Sequence, residues 1–136
     1  MERRVVITGL GVVSCIGNDV RTFWKNLVAG VCGIEVIDEF PTDGFPVKIG
    51  GKVRNFNPEE YGMDRPFIRK QDPFSIYAMA AAWQAVGDSG INAIGPDANI
   101  DPYRFGVYMG SGVGGFDTIV REVEHLFEDR SGKWVS

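Results

Sequence analysis

Arg4 to Thr8 carries an unbroken apolar run, Val5-Val6-Ile7, closed by Gly9, and this predicts a buried strand. From Asn18 the rhythm becomes helical. Val20, Phe23, Trp24, Leu27 and Val28 share one face. Asn18 or Asp19 caps that helix, which runs through Ala29, and Gly30 and Gly33 end it. Residues 35–60 hold no sustained period and contain Pro41, Pro46 and Pro58. Within them, Val47 to Val53 fits a short edge strand, because two adjacent glycines weaken a central one. The clearest helix opens at Asp72-Pro73, a capping residue followed by proline at the first helical position. It runs to about Asp88, and Gly90 stops it. Ala78, Ala80, Ala81, Ala82 and Ala85 surround it with small side chains, so another backbone can come close and an interior place is predicted. Gly95 to Tyr103 is a loop with two prolines. Phe105 to Met109 predicts a second buried strand. A glycine turn follows, then a helix from Phe116 to Asp129. Its apolar stripe is Phe116, Ile119, Val120, Val123, Leu126 and Phe127, with Asp117 and other acids opposite.

Strand, helix, long excursion, helix, strand, helix is the order of an α/β protein with a parallel sheet. Such a sheet needs both faces covered and usually more than two strong strands. The sheet therefore reads as unfinished. Composition leaves that picture intact: 44% apolar and 24% charged residues describe an ordered globular chain. The net charge of −4 excludes a typical nucleic-acid binder. No apolar run approaches the length of a membrane span, and Met-Glu-Arg-Arg-Val-Val has no signal-peptide anatomy. Cys15 and Cys32 show neither a metal spacing nor a disulfide framework, so a cytoplasmic protein with reduced thiols is expected.

Glycine is abundant, at 18 of 136 residues, and two runs resemble nucleotide-binding turns. Gly9-x-Gly11-x-x-Ser14 follows the first strand, with Glu35 or Asp38 downstream near the expected distance of about 20 residues. A phosphate cradle works because the helix N-terminus begins at the glycines. Here Val12, Val13 and Ile16 continue the apolar stretch, and a break at Gly17-Asn18 separates glycines from helix. Gly110, Gly112 and Gly115 spell G-x-G-x-x-G directly between strand and helix. No strand follows to present a ribose-binding acid. A small dinucleotide-binding oxidoreductase domain is therefore kept only as an alternative.

Several motifs together resemble the β-ketoacyl-[acyl carrier protein] synthases, the condensing enzymes of fatty acid and polyketide synthesis. They are Arg4-Val-Val-Ile-Thr-Gly-Leu-Gly-Val-Val-Ser-Cys-Ile-Gly-Asn18, Phe23-Trp-Lys-Asn-Leu-Val-Ala-Gly30 with Gly33-Ile34, Asp88-Ser-Gly90, and Met109-Gly-Ser-Gly-Val-Gly-Gly115, in family order and spacing. The similarity covers essentially residues 1–136 and is nearest to the bacterial elongating synthase II type. It implies a thiolase-like fold, two similar α/β halves in five layers. This chain would be the N-terminal part of the first half, with an incomplete layered sheet.

The resemblance also implies a mechanism. An acyl group passes from the phosphopantetheine thiol of acyl carrier protein to an enzyme cysteine. Malonyl-carrier loses carbon dioxide, and the carbanion attacks the thioester. No resident cofactor is implied, and a homodimer is expected for the complete enzyme. The family's Ala-Cys-Ser-like nucleophile motif and its two histidines lie past the matched region, so no catalytic residue is assigned and the 136 residues alone are expected to be inactive.

Cys15 reads as a packed small residue. Cys32 follows a helix end, where the dipole disfavours a thiolate. His125 reads as a solvated surface residue, and no metal site is assigned. By resemblance Val113 lies in the acyl-chain pocket, with Gly112 and Gly114 letting backbone approach the substrate. Arg65, Arg69 and Lys70 form a basic cluster in an acidic chain. By resemblance Arg69 and Lys70 match the patch that docks acidic acyl carrier protein, and Lys133 is a further contact. The alternatives are a non-catalytic chain-length-factor partner, which keeps the fold without the cysteine, and an interaction module with no chemistry.

Overall fold

The structure, a computed structural model, describes residues 3–92 and 95–128. Helix α1 spans Val20–Val28. Asp19 is its cap: Thr22 N–H donates to the Asp19 carboxylate at 2.8 Å. That bond, reinforced by the Thr22 hydroxyl, holds the Asp19 carboxyl below its usual range. Gly30, with φ +70, closes the helix in the left-handed conformation that glycine adopts without strain. Strand β1 (Ile34–Val36) pairs antiparallel with β2 (Ile49–Gly51), in the register Ile34 to Gly51 and Val36 to Ile49. The expected edge strand is therefore present, and its partner lies in a stretch that the sequence pattern leaves irregular. A 3-10 turn at Pro58–Tyr61, helix α2 (Arg65–Ile68), helix α3 (Pro73–Ser89), a turn at Pro102–Arg104 and helix α4 (Phe116–Glu128) complete the order.

Residues 9–12 lie on α3, and the sequence explains how. In extended chain, alternate residues face one side and two residues rise about 6.8 Å. One helical turn of four residues rises about 6 Å. A G-x-G pair can therefore face an A-x-x-x-A pair almost in register. A Cβ at Gly11 would overlap the Ala81 carbonyl, and one at Gly9 would overlap the Ala85 carbonyl. The small-residue helix admits a backbone, as its alanines predict. Backbone polarity is satisfied by the next row of α3. Leu10 N–H donates to the Asp88 carboxylate at 3.0 Å. Val12 N–H donates to Gln84 Oε1 at 3.3 Å, and Gln84 Nε2 donates to the carbonyls of Val12 at 3.1 Å and Asn18 at 2.9 Å. Tyr61 O–H also donates to the Asn18 carbonyl, at 3.0 Å. Gln84→Ala removes three of these bonds and leaves part-buried backbone groups unpaired. It should destabilise the fold by about 1–3 kcal/mol, read by urea unfolding.

Met63, Ile76 and Ala80 form the buried core, with Val13, Phe56, Tyr61, Phe67 and Ile68 packed around it. Aromatic contacts join Phe56 to Tyr61 and Tyr77, and Tyr61 to Trp83.

Two expectations need correction. Arg4–Thr8 and Phe105–Met109 are not strands of a sheet, and they are not buried: Ile7 is 81% exposed and Val107 is 81% exposed. A strand exists through its ladder partners, and among the described residues only β1 and β2 form one. The parallel sheet is accordingly not formed among these residues. The α4 stripe is likewise open, with Phe116, Ile119, Leu126 and Phe127 all at least 47% exposed. The accessible area is 11397 Å², against about 7,000 Å² for a compact monomer of this mass. Much apolar surface is thus presented rather than enclosed.

Candidate functional site

The glycine turn is anchored on the first turn of α3. Ser111 Oγ accepts the Gly114 N–H at 3.0 Å, so the loop folds back on itself. Gly114 takes φ +79, which a side chain would strain, and its Cα faces the Phe74 ring, whose Cζ would lie 3.8 Å from an added Cβ. Gly115 presses against the Asp72 carboxylate, and any Cβ there would overlap Oδ2. Asp72 occupies the N-cap position of α3 without making a side-chain cap bond. Its Oδ2 instead accepts the Thr118 hydroxyl of α4, at 2.7 Å. The expected capping residue therefore caps by backbone alone, since Ser75 and Ile76 N–H donate to its carbonyl.

This anchoring leaves Val113 projecting, 68% exposed, at the tip of the loop. Gly112 has open space where a side chain would stand. The loop presents an apolar side chain on a thin backbone. It does not present an anion cradle: the Gly114 N–H is already used, and a carboxylate sits against Gly115 where a phosphate would be repelled. The first glycine run is spent on α3, and α1 does not begin until Val20. Neither run therefore meets the requirements of a dinucleotide site.

The basic cluster sits on and just after α2. Asp64 caps this helix through Phe67 N–H at 2.8 Å, and Pro66 is in its first turn. Arg65 Nε donates to Glu59 at 2.6 Å, which raises the Arg65 pKa above its ordinary value and offsets much of its charge. Arg69 and Lys70 are both exposed, and no ion pair is formed by either among the described residues. A depression of about 430 Å³ beside them is lined by Asn57, Pro58, Glu59, Arg65, Ile68 and Arg69. The net positive character of the patch thus rests on Arg69 and Lys70. Lys133 lies outside the described residues.

The structure brings the two sets together through one short link. Lys70 is two residues before Asp72, whose carboxylate touches Gly115 and Thr118. Asp72 as a loop anchor, and Thr118 as its partner, are not legible from helix-capping rules alone. The alternation of small and polar residues along α3, with Gln84 and Asp88 one turn apart, is the available signal for the backbone clasp.

Cys15 is partly buried between Gly33 and Gly51, each close enough that an added Cβ would meet its sulfur. Cys32 is exposed, and its thiol faces the Ile34 carbonyl at 3.8 Å. His125 is exposed in the last turn of α4. Among the described residues no three metal-ligating side chains cluster, and no helix is long and apolar enough to cross a membrane.

Comparison with known proteins places this arrangement. Residues 2–135 match the model of the β-ketoacyl synthase N-terminal domain. A 3-oxoacyl-[acyl-carrier-protein] synthase 2 of Staphylococcus aureus (strain N315) is 42% identical over 124 residues, 91% of this chain and 28% of the relative. The protein of the same description from Vibrio cholerae is 41% identical over 127 residues, 93% of this chain and 30% of the relative. The chain thus spans under a third of these relatives' length. Among solved structures, the ishigamide ketosynthase/chain length factor superposes with a TM-score of 0.74 at 27% identity, covering all of this chain and 32% of that one. The described residues thus adopt the N-terminal part of the thiolase-like fold, and their uncovered apolar faces correspond to an incomplete set of layers.

Proposed function

The chain belongs to the β-ketoacyl synthase N-terminal domain family, and on that premise we propose that it serves as the N-terminal part of a 3-oxoacyl-[acyl carrier protein] synthase. The reaction is elongation of a carrier-bound acyl chain by decarboxylative condensation with malonyl-carrier, in fatty acid or polyketide synthesis. The single observation that carries this reading is the family match over residues 2–135, which includes the glycine loop with its projecting Val113. The open apolar surface supports a role within a larger fold rather than as a free-standing unit.

In this reading Val113 lines the acyl pocket, and Gly112 and Gly114 let the substrate run close to the backbone. Arg69 and Lys70 receive the acidic carrier, with Arg65 contributing less because its charge is paired with Glu59. The nucleophile and the decarboxylation histidines come from the rest of the synthase, which is dimeric and takes its substrates on the carrier's phosphopantetheine arm. The 136 residues alone perform no condensation.

Loading the complete protein from acyl-carrier tests the assignment. Mass spectrometry should find one acyl group bound as a thioester, sensitive to hydroxylamine. A protein that never loads would instead be the chain-length-factor type, a reading that the structural likeness to a ketosynthase/chain length factor keeps in view. Docking has its own test. Arg69→Glu with Lys70→Glu should raise the KM for carrier-bound substrate roughly tenfold and flatten its dependence on ionic strength, with kcat little changed. Wild-type KM and salt response in that double variant would remove the docking assignment.

A further inference from the structure

The Asp72 carboxylate reaches across 46 residues of sequence to Thr118, from the start of α3 to the first turn of α4. Three observations converge on it. Asp72 gives up the side-chain cap bond of its own helix. Its Oδ2 accepts the Thr118 hydroxyl at 2.7 Å, a charge-assisted bond of the stronger kind. Its carboxylate also forms the surface on which Gly115 rests, close enough to exclude any side chain there. Arg121 Nη2 donates to the same Thr118 hydroxyl at 3.4 Å, so the hydroxyl accepts from a cation and donates to an anion. Beyond this anchor, toward the N-terminus, the loop is folded on itself by the Ser111–Gly114 bond, with the Phe74 ring beside Gly114. Val113 lies within that turn, one residue from Gly114 and two from Gly115.

We propose that Asp72 is a positioning residue for acyl-chain selection: by accepting the Thr118 hydroxyl it fixes the Gly110–Gly115 loop against the first turn of α3 and sets where Val113 stands. The inference rests on the acyl-pocket reading of Val113 given above and deepens it. A loop of glycines has little conformational preference of its own. Its tip can define the depth of a pocket only if its base is pinned, and Asp72 with Thr118 supplies the pin. When the pin is lost, Val113 samples several positions and the pocket accepts a wider range of chain lengths.

The test uses the complete protein and a series of short and long acyl-carriers. Thr118→Val removes the hydroxyl at nearly constant shape, and Thr118→Ser keeps it. In Thr118→Val the ratio of kcat/KM for preferred over disfavoured chain lengths should fall by about tenfold. The KM for malonyl-carrier, which docks on the same patch, should not move. Thr118→Ser should retain the wild-type ratio, which a purely structural role of the methyl group would not produce. Hydrogen exchange at the amides of residues 110–115 should accelerate in Thr118→Val and not in Thr118→Ser, and this holds even if turnover is too low to measure. Val113→Phe is the control for the underlying reading. Should Val113→Phe shift the preference while Thr118→Val leaves both the ratio and the exchange unchanged, the positioning role is overturned and the pocket assignment stands. Should Val113→Phe itself leave the preference unchanged, the pocket assignment fails, and the positioning role with it.

Discussion

Gly11→Ala should lower the unfolding free energy of the complete protein by about 1–3 kcal/mol, the usual cost of forcing extra atoms into a packed contact, with the upper end expected. The upper end applies because the obstacle is a backbone carbonyl of α3, at Ala81, rather than a side chain that can rotate away. To make room, the segment 9–12 must lift from the helix. That movement also lengthens the bonds from Leu10 to Asp88 and from Val12 to Gln84. Gly9→Ala should act in the same direction against the Ala85 carbonyl. Gly44→Ala is the matched control, since nothing lies within 4 Å of a Cβ there. Chemical denaturation of the three variants checks this, and a midpoint for Gly11→Ala equal to that for Gly44→Ala would sink the backbone-contact account.

Val113→Phe should shorten the acyl chains that the complete synthase accepts. On the proposed pocket role of Val113, the added ring occupies space that distal methylenes would otherwise fill. Discrimination between chain lengths in an apolar pocket runs at about 10–200-fold per methylene-scale change. The expected result is a fall of at least about tenfold in kcat/KM for long chains, with short chains nearly unaffected. The substitution should cost little stability, because Val113 is 68% exposed and packs against little among the described residues. Competition between short and long acyl-carriers in one reaction gives the ratio directly. Equal losses for both would mean that the loop is merely supportive.

The elements with strong local signals were legible. Asp19 caps α1 and Gly30 stops it because both work within one turn of chain. Asp72-Pro73 and Gly90 bound α3 for the same reason. The parts that need partners distant in sequence were not. The apolar runs at Val5-Val6-Ile7 and Phe105 to Met109 have strand composition, yet a strand needs neighbours that composition cannot supply, and these residues stand open. β1 was hidden because it exists through its pairing with β2 further along the chain, which leaves no local signal. At the site, the G-x-G-x-x-G spelling was legible and ambiguous. Asp72 argues against the nucleotide reading, since a carboxylate packed on Gly115 repels a phosphate. Nothing in the spacing of Asp72 and Thr118 announces that they meet. Their contact follows from how α3 and α4 come together.

The most direct test of the central claim is turnover of labelled malonyl-carrier with acyl-carrier by the complete protein. The account predicts release of labelled carbon dioxide matched one for one by a β-ketoacyl-carrier two carbons longer than the acyl donor, and none of either from residues 1–136 alone. Absence of both products from the complete protein, with intact carriers recovered, would contradict it.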